Sequence, residues 1–183
     1  MNIFVLDQDP ITAAKMHCDK HCVKMIVELY QQLGSAVRRH GAVDSQMPLT
    51  SNGKPLKGGY ANHPCTKWCG DSRHNFIWAA IHGIALSMEY SYRYDKIHAC
   101  HEGLIKLLNM FRMIPYGSLT PFAQAMPDQY KNDDPIKAYR DYYWYEKRHK
   151  FNCVWTNRQK PYWWIQEEAL DEMVSINQEL KLY

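Results

Sequence analysis

The chain contains almost no stretch in which apolar and polar residues alternate, the pattern that a half-buried β-strand requires. Its apolar residues recur instead at helical spacing over long segments. Asp9 followed by Pro10 is typical of a helix N-cap with proline at the first helical position. We therefore expect a first helix from about Pro10 to about Leu33, which Gly34 can end. The sequence predicts an all-α fold.

The other expected helices are bounded by signals of the same kinds. Asp71 or Ser72 can cap a second long helix that continues to about Tyr94. A third helical stretch covers roughly 100–112, a fourth runs from Ile136 to about Phe151, and a last amphipathic helix covers Tyr162–Leu180. Turn-forming residues predict long loops at 41–64 and 114–135. With 183 residues the chain suffices for one hydrophobic core, so we expect one compact helical bundle over residues 1–183.

Composition narrows the class of protein without choosing a function. Hydrophobic residues make up 46% of the chain and charged residues 22%, which excludes an intrinsically disordered chain. A net charge of +3 is compatible with nucleic-acid binding but is too weak to indicate it. The sequence has neither a long apolar run that predicts a membrane span nor the pattern of a signal peptide. We therefore expect a cytoplasmic protein whose six cysteines are thiols or ligands rather than disulfides.

Four ionisable residues of the expected first helix fall on one side of it. Since an α-helix turns about 100° per residue, they share a stripe about 60° wide. This first-helix stripe consists of His17, His21, Lys24 and Glu28. Apolar residues border it on both sides, which indicates that it faces a cavity rather than open solvent. The four residues offer an acid, a base and a nucleophile and are our candidate catalytic residues; the alternative is an exposed stripe with a Lys24–Glu28 ion pair.

The second long helix carries a similar line of residues, which we call the second-helix stripe. It consists of Asn75, Trp78, His82, Glu89 and Arg93 and is also about 60° wide. If the two helices pack together, the stripes form opposite walls of one pocket, and these five residues then bind substrate. The alternative is that Glu89 and Arg93 are an ordinary surface pair four residues apart.

Three further segments contribute candidate substrate-binding residues. His63, Lys67 and Trp68 lie where a loop joins a helix, a place at which backbone N–H groups can meet an anion. The alternative there is a capping turn with Trp68 in the core. Gln124 lies in a proline-bounded loop and can read a base or an amide. Arg140 lies among aromatic and basic residues, which can stack bases and hold phosphates or form a wet edge of the core.

A zinc site is the main rival to these interpretations. Its candidate ligands are two Cys-x3-Cys pairs and three histidines, namely Cys18, Cys22, Cys65, Cys69, His17, His21 and His63. Neither pair has CxxC spacing, and Cys18 and Cys22 fall on an apolar face, where cysteine behaves as a small hydrophobe. A catalytic metal held by His17, Asp19 and His21 is disfavoured because Asp19 points away from both histidines. We therefore expect no metal and no cofactor, with zinc as the alternative.

Several motifs resemble those of known proteins. They are Met1-Asn-Ile-Phe-Val-Leu-Asp, His17-Cys-Asp-Lys-His-Cys-Val-Lys-Met, Gly59-Tyr-Ala-Asn-His-Pro-Cys-Thr-Lys-Trp, Glu89-Tyr-Ser-Tyr-Arg-Tyr and Phe122-Ala-Gln-Ala-Met-Pro. Over most of the chain they are similar to a family of small, largely uncharacterised phage-encoded proteins. More distantly, the order of signals over residues 1–100 resembles the pyrimidine-dimer DNA glycosylase family of the endonuclease V type. Its members have a His-bearing first helix, a Gly-Tyr-x-x-His-Pro turn and a long helix that ends in an Arg/Tyr-rich turn.

The resemblance implies a compact all-α domain that acts on DNA. In that family the N-terminal α-amine attacks the sugar carbon and forms a Schiff base, assisted by a glutamate of the first helix. This sequence departs from the pattern twice: Asn2 implies that Met1 is retained, and Lys24 lies about where the glutamate should be, with Glu28 one turn later. The departures disfavour excision of pyrimidine dimers and leave open a related lyase or base-processing activity in which a desolvated Lys24, with His neighbours, is the amine.

We therefore expect a phage-type, DNA-processing enzyme of the glycosylase/lyase type, acting on a base or an abasic sugar in the host cytoplasm. Two alternatives remain open. One is an enzyme that hydrolyses or modifies a free nucleotide or a small phosphorylated metabolite. The other is a non-catalytic host-takeover protein. The expected partner is DNA or a nucleotide rather than a membrane, and the sequence does not determine the oligomeric state.

Overall fold

A computed structural model describes residues 2–180, with side chains as far as Gln178. Its main helices are α1 (Pro10–Met16), α2 (Asp19–Arg39), α3 (Pro64–Asp71), α4 (Arg73–Tyr94), α5 (His101–Leu108), α6 (Pro135–Tyr142) and α7 (Tyr162–Leu180). Within the described residues there is no strand, only a single antiparallel bridge between Leu49 and Pro55. The buried apolar side chains form one continuous core, so the predicted all-α helical bundle is confirmed.

The predicted continuous helix from Pro10 to Leu33 is wrong. The chain leaves the helical conformation at His17 and Cys18, which are both extended, and a new helix begins at Asp19. Backbone groups that lack a helical partner at this break form hydrogen bonds with a distant segment of the chain. The Met16 carbonyl accepts a hydrogen bond from the Trp155 indole at 3.0 Å, and the Asp19 N–H donates to the Val154 carbonyl at 2.8 Å.

Gly34 does not end α2, which continues to Arg39. Its lack of a side chain serves packing instead, because an added Cβ would lie 2.5 Å from a methyl carbon of Leu56. The loop at 41–63 therefore lies directly on α2. Its position is fixed further along by Ser35, whose hydroxyl donates to the Gly59 carbonyl at 3.0 Å and accepts from the Gly59 N–H at 2.8 Å.

Helix α4 is the second long helix that the sequence predicts, and it packs against α1, α2, α3 and α5. Ser72 caps it by accepting a hydrogen bond from the His74 N–H, and it ends at Tyr94 before Asp95, which has a left-handed backbone (φ 52°). Its bounds therefore confirm the prediction. Within residues 2–180, none of the helices has the length and apolar character of a membrane span.

The remaining helices follow the predictions with two differences. The expected third helix at 100–112 is shorter, since α5 ends at Leu108 and a 3-10 turn covers Phe111–Met113. The aromatic helix expected from Ile136 begins as α6 and continues as a π-helical turn over Tyr143–Lys147. The last predicted helix is present as α7.

A network of buried charges, which we call the Arg93 clamp, connects three parts of the fold. The guanidinium of Arg93 is fully buried and donates to the His17 carbonyl at 2.8 Å and to the Asp19 carboxylate at 2.9 Å. Its Nε lies 3.3 Å from Glu89, which also accepts from Arg158 at 2.6 Å. The clamp therefore joins the break between α1 and α2, the end of α4 and the segment that precedes α7. Because Glu89 and Arg93 are buried, the surface-pair alternative is wrong.

We expect Arg93→Ala to lower the free energy of unfolding by about 3–5 kcal/mol, because it removes the central cation of a buried ion-pair network and leaves the His17 carbonyl without its donor. Urea denaturation at neutral pH measures the loss. The matched control is Arg39→Ala, since Arg39 forms an exposed ion pair with Asp71, and an exposed pair contributes about 0–1 kcal/mol. Equal losses in the two variants would contradict the structural importance of the clamp.

Candidate functional site

Lys24 and Glu28 lie together on α2, as the sequence predicts. Their side chains form an ion pair with 3.3 Å between Nζ and Oε1. They differ in exposure: the Lys24 side chain is 64% exposed and that of Glu28 only 12%. The pair lines a cavity of about 350 Å³. The other residues that line this Lys24–Glu28 cavity are Val23, Val27, Gln31 and Tyr60.

The beginning of the described chain holds the inner side of Glu28. The backbone N–H of Asn2 donates to Oε2 of Glu28 at 2.9 Å. The Asn2 side chain is itself fixed, because its amide donates to the Ala125 carbonyl at 2.7 Å and its carbonyl accepts from the Ile3 N–H at 2.7 Å. Met1, whose α-amine the family resemblance concerns, lies outside the described residues.

A loop places Tyr60 on the wall of the cavity and leads three residues later to His63. Gly58 has a left-handed backbone (φ 82°), and a Cβ at this position would lie 2.3 Å from the Ser35 hydroxyl, so only glycine allows this approach. Tyr60 follows with a positive φ and a largely exposed ring. His63 caps α3 by accepting a hydrogen bond at Nδ1 from the Cys65 N–H, which leaves its proton on Nε2 when it is neutral.

The electrostatic environment of His63 connects it with Glu28. Partial burial lowers the pKa of the His63 imidazole, whereas the negative charge of Glu28 acts in the opposite direction and raises this pKa. The Lys24 amine and the Glu28 carboxylate line the cavity, and the His63 imidazole lies within electrostatic range of Glu28. These three groups can accept a proton, donate one and supply a nucleophile.

The predicted first-helix stripe does not form as one line, because the helix is broken after Met16. His17 lies in the break itself and is buried in the core with His21 and His82. The rings of His17 and His82 are 5.2 Å apart, and His21 stacks on Phe4 at 4.4 Å. Each of the three histidines makes one hydrogen bond at Nδ1, to the Ala13 carbonyl, the Tyr143 hydroxyl and the Pro10 carbonyl respectively.

Burial keeps these three histidines neutral. It lowers the pKa of His21 to about 3, with further lowering from the charge of Lys147, and lowers the pKa of His82 to about 4. Burial also lowers the pKa of His17 well below its usual value, and the neighbouring His82 adds to this effect. Their contacts are those of core residues, and none of the three lines the Lys24–Glu28 cavity.

The second-helix stripe is buried throughout, and its members attach other segments to α4. They are Asn75, Trp78, His82, Glu89 and Arg93. Asn75 donates to the Trp68 carbonyl at 2.9 Å, and the Trp78 indole donates to the Gln8 carbonyl at 2.8 Å. None of the five lines the Lys24–Glu28 cavity. The expected pocket with the two stripes as opposite walls is therefore absent at this place.

Three of the remaining candidates are engaged in internal contacts. Trp68 packs in the core against Trp78, as the alternative interpretation of its segment predicts. Gln124 exchanges two hydrogen bonds with the backbone of Asn132, at 2.6 and 3.0 Å. Arg140 donates to the Leu6 carbonyl at 3.0 Å. These residues hold loops and the N-terminal segment in place.

Lys67 has a different setting and is exposed. It lines a second cavity, of about 370 Å³, which we call the Arg39–Lys67 cavity. The other residues that line it are Ser35, Ala36, Ala61, Asn62 and Thr66. Because Ala61 directly follows Tyr60 in the chain, the two cavities are neighbours.

The candidate zinc ligands do not converge in the part of the chain that the structure describes. Residues 2–180 contain no group of three or more His, Cys, Asp or Glu side chains placed to hold one metal ion. All six cysteines are free thiols. Burial raises the pKa of Cys22 and of Cys65 to about 12, which disfavours the thiolate that a zinc ligand requires.

Three residues at this place were not predicted from the sequence, namely Gln31 and Tyr60, which line the cavity, and Asn2, which contacts Glu28. Gln31 follows Glu28 by three residues and therefore shares its helix face, a signal that the spacing already contained. Tyr60 follows a Gly-Gly pair, which marks a tight approach of the loop. Nothing local in the sequence indicates that Asn2 contacts Glu28.

Comparison of the chain with protein-family models, with curated proteins and with solved structures found no significant match. Membership of the phage-encoded or glycosylase families thus remains an expectation from the motifs.

Because His17, His21 and His82 are buried in their neutral form, we expect the protein to lose stability in acid. The folded pKa of His82, about 4, lies below its usual value of 6.5, so the unfolded chain binds more protons between these pH values. We therefore expect the free energy of unfolding to fall as the pH drops from 6.5 towards 4. His82→Gln should reduce this slope by up to about 1.4 kcal/mol per pH unit.

Urea denaturation at pH 7, 6 and 5 measures the slope. The matched control is His149→Gln, since His149 is exposed and its replacement should leave the slope unchanged. If His82→Gln has the same slope as the wild type, His82 is not held neutral by the fold.

Proposed function

We propose that the Lys24–Glu28 cavity is the active site of a DNA-processing enzyme of the glycosylase/lyase type, acting on a base or an abasic sugar. The observation that carries this proposal is the Lys24 amine lying 3.3 Å from the nearly buried Glu28 carboxylate on a cavity of about 350 Å³. A cavity of this size accepts a sugar or a base. A lysine beside a carboxylate is a suitable pair for imine chemistry with an aldehyde.

In the proposed reaction the Lys24 amine attacks the C1′ aldehyde of an open abasic sugar. A C–N bond forms, water leaves and an imine results. A base then removes a proton from C2′, and the 3′ phosphate leaves by β-elimination. Water finally hydrolyses the imine and restores the amine. Glu28 is the candidate base for the proton transfers, and Nε2–H of His63 is a candidate donor to the departing oxygen.

The exposure of Lys24 modifies the expected activation. The sequence interpretation assumes a desolvated amine, but the side chain is 64% exposed and paired with Glu28. Desolvation of the Lys24 side chain therefore cannot explain how its ammonium group would lose a proton. Glu28 has to accept the ammonium proton once substrate covers the cavity and excludes water. The hydrogen bond from the Asn2 N–H keeps the carboxylate directed at the cavity while this happens.

The neighbouring Arg39–Lys67 cavity supports a polymeric substrate. DNA that places one sugar beside Lys24 continues past it, and its next phosphate needs a cationic surface. Lys67 and Arg39 offer this surface beside Tyr60, whose exposed ring can stack on a base.

A second candidate function uses the same cavity for a free nucleotide or a small phosphorylated metabolite. The observation that favours it is the volume of about 350 Å³, which suits a ligand of one nucleotide. Salt distinguishes the two candidates, because DNA affinity falls steeply with ionic strength whereas a single phosphorylated ligand releases few counterions.

We expect borohydride to trap a covalent adduct between the wild-type protein and duplex DNA that contains one abasic site. Lys24→Arg should lose the adduct by at least about a hundredfold, because arginine retains the charge beside Glu28 but cannot form the imine. Denaturing gel electrophoresis of labelled DNA measures both trapping and strand cleavage.

The matched control is Lys20→Arg, which changes an exposed lysine one turn earlier on α2 and should trap as the wild type does. No adduct and no cleavage with the wild type would refute the lyase proposal. Undiminished trapping by Lys24→Arg would refute the role of Lys24 and indicate another amine.

We expect Glu28→Gln to lower kcat about 10²- to 10⁴-fold while changing KM little, because glutamine accepts the Asn2 hydrogen bond but cannot accept a proton. Single-turnover cleavage of abasic DNA measures the effect. Glu102→Gln, at an exposed position of α5, is the control and should cleave normally. A fully active Glu28→Gln enzyme would contradict the assignment of Glu28 as the base.

A further inference from the structure

Two cysteines that are far apart in sequence meet at the break between α1 and α2. The segment before α7 runs alongside the break, held by the hydrogen bond from the Asp19 N–H to the Val154 carbonyl at 2.8 Å. Cys18 and Cys153 directly precede these two residues, so this bond brings them together and their side chains interact. Cys18 is fully buried, whereas Cys153 is partly exposed.

The surroundings of Cys18 stabilise negative charge on its sulfur. The Tyr143 hydroxyl donates to Sγ of Cys18 at 3.6 Å. The same oxygen lies 2.6 Å from Nδ1 of His21. When His21 carries its proton on Nδ1, it donates to this oxygen, and the hydroxyl proton stays directed at Cys18. Cys18 also lies at the N-terminus of the 21-residue helix α2, where the helix dipole favours an anion.

The two thiols titrate as a coupled pair. The interaction with Cys153 lowers the pKa of Cys18 and raises the pKa of Cys153. The first proton that leaves therefore belongs to the pair rather than to one sulfur. Loss of this proton leaves a thiolate beside a thiol, and Cys153 is the partly exposed member of the pair.

The other cysteines of the described chain lack this arrangement. Burial raises the pKa of Cys22 and of Cys65 to about 12 and that of Cys69 well above its usual value. Cys100 is partly exposed, and burial raises its pKa too. They are therefore expected to remain protonated and slow to react, and Cys100 provides a natural comparison for Cys153.

We propose that Cys18 and Cys153 form a redox-active dithiol, a modification site that small hydroperoxides convert into a disulfide. The thiolate attacks the O–O bond of the hydroperoxide, an S–O bond forms, and the alcohol or water leaves with a proton. The second sulfur then attacks the sulfenic sulfur, an S–S bond forms, and the S–O bond breaks to release water. Two electrons pass from the pair to the peroxide, and a small dithiol reverses the change.

The proposal does not depend on the function of the Lys24–Glu28 cavity. The disulfide would add a covalent link where hydrogen bonds and the Arg93 clamp already join the same segments. It would also remove the negative charge on the Cys18 sulfur, which the hydrogen bond from the Tyr143 hydroxyl stabilises. Oxidation should therefore raise the Tm of the protein, since the link reduces the number of conformations open to the unfolded chain.

The test uses the full reduced chain treated with a few equivalents of hydrogen peroxide, blocked with N-ethylmaleimide and mapped by mass spectrometry after proteolysis. The expected result is loss of two hydrogen atoms, a linked peptide that contains Cys18 and Cys153, and its disappearance after dithiothreitol. Cys153→Ser, at a partly exposed site, should abolish the linked peptide, and Cys18→Ser should do the same. Cys100→Ser should form it at the wild-type rate, and circular dichroism verifies that each variant folds.

Three results would overturn the proposal. One is that native protein shows no Cys18–Cys153 link under these conditions. Another is that Cys100 is oxidised as fast as the pair. The third is that the link forms only in urea, which would mean that the folded arrangement does not promote it.

Discussion

The burial of one guanidinium organises much of this fold. Arg93 is placed near the end of α4, and the groups that it contacts come from a carbonyl at the break, a carboxylate at the start of α2 and a glutamate one turn away on its own helix. Removing such a charge from water is costly unless nearly all its donors are used. The helix break supplies several of these acceptors. The charge can therefore be buried only because the helix is interrupted.

The parts of the fold that were predictable are those whose causes are local. Ser72 caps α4 and Asp9 caps α1 by hydrogen bonds within three residues, and the sequence pattern around each shows this directly. The break at His17 has no proline or glycine to announce it. Its causes are Arg93 and Val154, which are distant in the chain, so helical periodicity continues through a place where the helix does not.

The same distinction explains the candidate site. Lys24 and Glu28 are four residues apart on one helix, and this part of the predicted stripe is present. The break displaces His17 into the core, and tertiary packing does the same to His21. Asn2 and Tyr60 reach the cavity through segments whose paths depend on Ser35 and Ala125. Helical angles therefore predict that Lys24 and Glu28 lie together, whereas the groups around them depend on the folded chain.

The π-helical turn at Tyr143–Lys147 has a consequence for how this region tolerates change in length. A π turn accommodates one residue more than the α-helical path between the same two ends. Removing one residue would restore ordinary helix but would rotate Tyr143 away from Cys18 and His21, while Trp144 would leave its place against Trp164. The extra residue thus fixes which side chains of this segment face the core. A chain that keeps this aromatic interior is expected to keep the extra residue as well.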